Sequence, residues 1–245
     1  MKLWQALLAA IAAAAATWFG AVPPRAAPTP AAPPREEPAP TPIPPIAQPD
    51  PLGAIARIQF GNSGCTATVI APRRPDGRWD VLTAAHCVTS RGQRGTIRFR
   101  DGRSSGVVVT AIDRTSDCAW LVTESNDTFP FAALAAADPA PGEAVWHHGY
   151  GVDKPDNRED GVVVAGANAE GQIEFRLSVS SGDSGGAIAL NRNGEVVGAV
   201  CCTTARGQVG RVWGCSPTSA ARLRVQRTEI NEPWTPIEIP LRMEP

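Results

Sequence analysis

Three short stretches of the chain carry residue types that can do chemistry together. They are Leu82-Thr83-Ala84-Ala85-His86-Cys87, Ser116-Asp117-Cys118-Ala119-Trp120-Leu121 and Ser181-Gly182-Asp183-Ser184-Gly185-Gly186. A serine hydroxyl is a weak nucleophile until a base takes its proton. The chain has 3 histidines, His86, His147 and His148, so the choice of base for Ser184 is narrow. His147 and His148 read as loop residues at a strand end, with no role assigned. His86 in turn needs a carboxylate to fix its tautomer and to stabilise the imidazolium. Asp117 opens an apolar strand as the first residue of an Asp-x-Ala-x-Leu pattern, which favours it over Asp113 four residues earlier. Glycines around Ser184 let the backbone turn tightly. They allow the N–H groups of Gly182 and Ser184 to point at one place, as an oxyanion hole. Losing one such donor typically costs about 10²–10³ in turnover. This set of groups is suited to acyl transfer.

Such groups must be held by the elements between them. Short β-rich segments occur at 54–60, 65–70, 79–83, 96–100, 107–112 and 119–122. Six more follow at 144–148, 161–165, 172–177, 186–190, 196–201 and 211–215. Turn signals separate them, as at Asp76-Gly77, Asp101-Gly102 and Asn193-Gly194. Residues 218–223 read as one short turn of helix. About twelve short strands with little helix predict an all-β sandwich or a pair of barrels.

The order His, Asp, Ser gives these motifs a family likeness. Thr83-Ala84-Ala85-His86-Cys87 resembles the histidine motif of the trypsin/chymotrypsin-like serine endopeptidases. Asp117-Cys118-Ala119-Trp120-Leu121 is similar to their aspartate motif, and Gly182-Asp183-Ser184-Gly185-Gly186 matches their serine motif in full. The stretch 64–70, Gly64-Cys65-Thr66-Ala67-Thr68-Val69-Ile70, resembles the strand before the histidine. The likeness covers residues 55–223, with spacings that look like a compact bacterial-type member.

The resemblance implies two six-stranded antiparallel β-barrels with the active site between them. It implies a serine endopeptidase that hydrolyses peptide bonds through an acyl-enzyme intermediate, acting on peptide or protein substrates. His86, Asp117 and Ser184 would form the triad, and Gly182 and Ser184 the oxyanion hole. No metal or cofactor is implied. A Cys65–Cys87 disulfide is also implied, pinning the loop that carries His86. Ser178 would lie at the base of the substrate pocket, Val200 on its wall and Thr203 on its rim. No carboxylate stands at Ser178 and no histidine at Val200. An apolar or small residue before the cut is therefore expected, and neither Arg/Lys nor Glu. Ser180 stands where the family has one cysteine of a pocket disulfide.

Asp183 holds the position that a newly cut N-terminus neutralises in animal relatives. Gly53-Ala54-Ile55-Ala56 is a poor match to such a terminus, so Arg158 or Lys154 is expected to neutralise Asp183, with no N-terminal cut required. A non-catalytic binding module on a tether is the alternative function; such relatives often lose a triad member, and here all three are present.

The chain has 245 residues, with 23 Lys plus Arg against 24 Asp plus Glu and a net charge of -1. That balance provides no basic field for nucleic acid. Thirteen of the 24 prolines fall within residues 23–51. This Pro/Ala stretch reads as a linker favouring polyproline II, reaching about 90 Å if extended. Before it, 1–22 is apolar after Lys2 and reads as a signal peptide or as a membrane anchor through residues 3–22. The catalytic-type domain is then 52–245, with a short C-terminal tail. Six cysteines, Cys65, Cys87, Cys118, Cys201, Cys202 and Cys215, argue for disulfides in an oxidising compartment. No C-x-x-C pair favours zinc. Neighbours bridge only with strain, so Cys201 and Cys202 are each expected to pair with Cys118 or Cys215. An exported protein is expected: periplasmic, secreted or held on the outer side of the inner membrane. No oligomeric state is implied.

Overall fold

The computed structural model describes residues 49–151 and 155–229. The segment 1–22, most of the linker 23–51, Lys154 and the tail from 230 lie outside the described residues. Among the described residues no helix is long and apolar enough to cross a membrane.

Six strands build the first barrel: β1 (Ile55–Phe60), β2 (Ser63–Ile70), β3 (Asp80–Ala84), β4 (Arg94–Phe99), β5 (Ser104–Asp113) and β6 (Cys118–Thr123). Six build the second: β7 (Ala144–Tyr150), β8 (Pro155–Ala165), β9 (Gln172–Ser178), β10 (Ala187–Leu190), β11 (Val196–Thr203) and β12 (Val209–Cys215). Each sheet is closed and antiparallel. The strand order β1-β2-β3-β6-β5-β4 recurs in the second barrel as β7-β8-β9-β12-β11-β10. All twelve expected strands are present, and the fold is the expected pair of barrels.

Local sequence explains the strands. In β5, Ser105, Val107, Val109 and Ala111 are buried while the residues between them are half-exposed, the period of two that one-sided burial requires. In contrast, β3 and β6 are buried at every position. Val81 and Leu121 fill the first barrel, whereas Leu82 and Trp120 face the layer between the barrels. Such two-sided burial favours an apolar run, nearly continuous in β6, and in β3 the buried Asp80 and Thr83 are hydrogen-bonded. The second barrel has its own filling, including Phe175, Ile173 and Ile188. Gly77, Gly102 and Gly194 have φ of 83, 87 and 72°, the left-handed conformation their Asx-Gly turns need.

Helix α1 spans Pro217–Glu229, longer than the short turn expected at 218–223. Ser216 caps it, accepting the Ser219 N–H at 3.1 Å, and Pro217 starts it where no donor is needed. Ala220 and Leu223 join the layer between the barrels. Trp120 Nε1 donates to the Ala220 carbonyl at 2.7 Å. Arg224 reaches the buried Asp80 carboxylate at 2.8 Å, an ion pair that docks the helix on the first barrel.

The cysteines pair as Cys65–Cys87 and Cys118–Cys215, while Cys201 and Cys202 are free thiols. The expected pairing of Cys201 and Cys202 with Cys118 or Cys215 is therefore incorrect. The reason is positional. Cys118 opens β6 and Cys215 ends β12, and the two strands meet between the barrels with Cα atoms 5.6 Å apart. This bridge closes a separation of 97 residues and ties one barrel to the other. Loop closure of that length stabilises by roughly 2–5 kcal/mol.

Candidate active site

His86 lies on a short 3-10 turn, Ala85–Cys87, directly after β3. The turn is fastened three ways. Cys87 is bonded to Cys65 of β2. The Ala85 N–H donates to the Asp117 carbonyl at 3.0 Å. Arg114 donates to the carbonyls of Ala85, Val88 and Thr89. Arg114 was not singled out from the sequence; an Arg in a turn carries no signal until the carbonyls it serves are folded next to it.

Asp117 immediately precedes β6 and has φ of 56°, the one non-glycine residue with positive φ among those described. Left-handed backbone is costly for most side chains and is tolerated by Asp and Asn. The conformation turns the carboxylate onto His86. Oδ1 accepts the His86 backbone N–H at 2.8 Å and Oδ2 accepts from His86 Nδ1 at 2.7 Å. The competing Asp113 is turned elsewhere. It accepts from the Thr115 N–H at 2.9 Å and the Ser116 hydroxyl at 2.7 Å, so it caps the turn leading to Asp117.

The hydrogen bond to Asp117 is the main influence on the His86 imidazole. It raises the pKa above the ordinary 6.5, against a smaller opposing effect of burial. A carboxylate can only accept, so Nδ1 carries the proton and Nε2 of the neutral ring keeps its lone pair.

Ser184 sits in the loop between β9 and β10, which is sewn to the first barrel by two buried threonines. The Thr66 N–H donates to the Ser184 carbonyl at 2.9 Å and the Thr66 hydroxyl to the Gly182 carbonyl at 2.8 Å. Thr83 donates to the Thr66 carbonyl at 2.7 Å. Gly185 allows this approach, because a Cβ there would fall 2.1 Å from Thr83 Oγ1 and 2.3 Å from the Thr66 oxygen. On the other side, the Gly185 N–H donates to the Val200 carbonyl at 2.7 Å. Among the described residues, the Gly182 and Ser184 N–H groups donate to no backbone carbonyl.

His86, Asp117, Gly182 and Ser184 line one cleft of about 440 Å3, together with Val200 and Thr203. Val179, Ser180, Cys201, Cys202 and Arg206 also line it and were not predicted as pocket residues. Ser178 lies elsewhere. It is buried beside His147 and Asp183 at a separate cavity of about 10 Å3. Its neighbours Val179 and Ser180 line both this cavity and the cleft.

Asp183 has a different partner from those expected. Arg158 is in β8, pairs with Asp160 at 3.3 Å and stacks over Trp146. It does not approach Asp183; Lys154 lies outside the described residues. The Asp183 carboxylate accepts the Ser180 N–H at 2.7 Å and faces His147 Nε2 at 3.7 Å. His147 and His148 are not loop residues. Both are buried within β7, and His147 Nδ1 donates to the Ala187 carbonyl at 3.0 Å. Burial pushes the Asp183 pKa up, but nearby His147 and the two Ser180 donors outweigh it and hold the carboxyl below its usual range. At 3.7 Å the His147 contribution is electrostatic. A carboxylate favoured in this way stabilises the fold at neutral pH and loses that contribution as pH falls through its lowered pKa.

Among the described residues, Cys65, His86 and Cys87 are the one cluster of metal-ligating types. Both of its sulfurs are consumed in their mutual disulfide, so it offers no thiolate.

Residues 65–198, more than half of the chain, match the family model of the trypsin-like peptidase domain. No curated protein matches the chain.

Proposed function

Because the chain belongs to the trypsin-like peptidase family, and a peptidase domain takes peptide or protein substrates, we propose that it is a serine endopeptidase using His86, Asp117 and Ser184. The observation that carries this reading is the double hydrogen bond from His86 to Asp117 on the same cleft as Ser184. His86 Nε2 takes the Ser184 hydroxyl proton as Oγ attacks the substrate carbonyl. The Gly182 and Ser184 N–H groups receive the developing oxyanion. The imidazolium, held by Asp117, then protonates the leaving amine, and an acyl-enzyme remains. Water enters by the reverse sequence, with His86 again as base, and frees Ser184.

The chain is read as exported through 1–22, with 23–51 as spacer. Two disulfides fit an oxidising compartment. The substrate residue before the cut is read as small or apolar, because Val179 and Val200 wall the cleft, and the Arg206 charge on the same cleft opposes Arg or Lys. No N-terminal cut is needed. Asp183 is already neighboured by His147 and Ser180. Ala54, where a new terminus would form, is buried in the layer between the barrels, and its carbonyl accepts the Val69 N–H at 3.0 Å.

A peptide library incubated with the intact protein tests both points. Cleavage after small or apolar residues, without trimming near Ala54, is expected. Activity that starts only after trimming contradicts the activation reading. Dominant cleavage after Arg or Lys contradicts the pocket reading.

A further inference from the structure

Cys201 and Cys202 are adjacent in β11, where side chains ordinarily alternate between faces. Here they do not diverge. Their Sγ atoms are 2.8 Å apart, approaching the S–S bond length of about 2.05 Å. The cause is a β-bulge. On the β11–β12 ladder Val200 pairs with Gly214 and Cys202 with Trp213, so Cys201 has no partner on the facing strand. A bulge inserts one residue, bends the strand and re-aims its side chains. It also leaves Cys201 without a ladder partner on β12, so the peptide between the two cysteines is less tied to that strand.

Both cysteines line the cleft that holds His86 and Ser184, Cys201 buried and Cys202 exposed. The hydrogen bond between the two sulfurs holds the Cys202 pKa down at about 7. That same bond, followed by burial, pushes the Cys201 thiol up. One member is therefore poised as a nucleophile and the other as the resolving thiol.

We propose that Cys201 and Cys202 are a dithiol redox site on the wall of the Ser184 cleft, closed to a reversible disulfide by a disulfide-bearing oxidant, and that closure slows hydrolysis at Ser184. The effect on hydrolysis rests on the serine endopeptidase reading; the ring closure does not. Cys202 thiolate attacks the oxidant's S–S bond, forming a mixed disulfide and releasing one thiolate. Cys201 loses its proton to that thiolate and attacks the Cys202 sulfur, releasing the second thiolate, which takes up the Cys202 proton. The two cysteines lose two electrons and two protons, and the oxidant leaves as two thiols.

Closure needs the sulfurs to approach further, which turns the peptide between them. The turn is transmitted to the catalytic loop through Val200, whose N–H donates to the Gly186 carbonyl at 3.0 Å and whose carbonyl accepts the Gly185 N–H at 2.7 Å. It also moves the strand edge that walls the cleft. A shift on the order of 1 Å at such a site costs up to about 10²-fold in rate.

Reduced full-length protein, with both structural disulfides verified by mass, is treated with glutathione disulfide. The expected product has lost two hydrogens, located by peptide mapping to Cys201 and Cys202, and its kcat/KM on a peptide substrate falls by about ten-fold or more. Mild dithiothreitol restores both. Cys201→Ser and Cys202→Ser, each compared with its own untreated form, cannot lose the two hydrogens. Glutathione remaining on Cys202 without ring closure overturns the proposal, as does ring closure with kcat/KM unchanged. Fluorophosphonate labelling of the reduced protein separates this from the reading it rests on. Labelled protein that is insensitive to ring closure overturns the redox proposal alone. Unlabelled protein overturns the endopeptidase reading, and with it the effect on hydrolysis, while mass still decides whether the ring forms.

Discussion

Ser184→Ala lowers kcat for peptide hydrolysis by about 10⁶-fold, the scale seen when a serine nucleophile is removed from an intact site. Fold stability stays close to that of the parent. The Ser184 backbone, not its side chain, makes the contact to Thr66, and the turn glycines are untouched. A residual rate of about 10³–10⁴ over water persists, because the oxyanion donors and the cleft remain. The measurement is kcat on a fluorogenic peptide, with the thermal midpoint as control. A loss smaller than about ten-fold, with the fold intact, places the nucleophile elsewhere.

Asp117→Asn is the second large effect. Asn tolerates the left-handed backbone that Asp117 adopts at φ 56°, so the turn survives. The carboxylate that holds Nδ1–H is lost, and the amide can stabilise the wrong tautomer. A fall of about 10⁴ in kcat is expected. The pH profile adds a readout that packing damage does not move. His86 acts as base only when neutral, so kcat/KM rises with pH through its pKa. Asp117 raises that pKa above 6.5, which puts the acidic limb of the intact enzyme above the ordinary histidine range. In Asp117→Asn the limb moves to lower pH. Asp113→Asn serves as comparison, since Asp113 caps the turn at Thr115 and Ser116. That variant loses stability and keeps its limb in place. An unmoved limb in Asp117→Asn contradicts the assigned pairing.

The barrels were legible because most strands announce themselves by one of two patterns. Strand β5 alternates, and β6 is a nearly continuous apolar run, while β3 is apolar at Val81, Leu82 and Ala84 around Thr83. The sequence marks β8 only over 161–165, because its beginning is polar. Its backbone pairs with β7 as far as Tyr150 opposite Pro155, a pairing that its composition does not require. Helix α1 was underestimated for a related reason. Ala220 and Leu223 are its main inward apolar contacts, and Val225 is exposed, so the helical period is faint. Ser216-Pro217 fits a helix start, which the reading of 218–223 does not use.

Within the site, local motifs were legible and partnerships across the fold were not. The His86, Asp117 and Ser184 motifs stand in contiguous residues. The Cys118–Cys215 bridge depends on two strands from different barrels meeting, which no spacing encodes. His147 looked like the end of a strand because two histidines in a row resemble a polar boundary. Its burial follows from β7 lying between β8 and β10, and it then faces Asp183. Thr66 and Thr83 escaped notice as positioning residues. A threonine in a strand is unremarkable until its hydroxyl is placed against another loop.

These connections give the loop that bears Ser184 its position. The first barrel supplies His86 and Asp117, and through Thr66 it also holds the loop that bears Ser184. Relative placement of His86 and Ser184 therefore rests on buried hydrogen bonds to the backbone more than on the exposed cleft surface.

Covalent labelling tests the central claim most directly. Folded, disulfide-intact protein is treated with a fluorophosphonate and digested, and the adduct is located by mass spectrometry. The account predicts one stoichiometric adduct on Ser184, lost in Ser184→Ala and formed far more slowly in Asp117→Asn. Folded protein with Ser184 unmodified, or with the adduct on another residue, contradicts it.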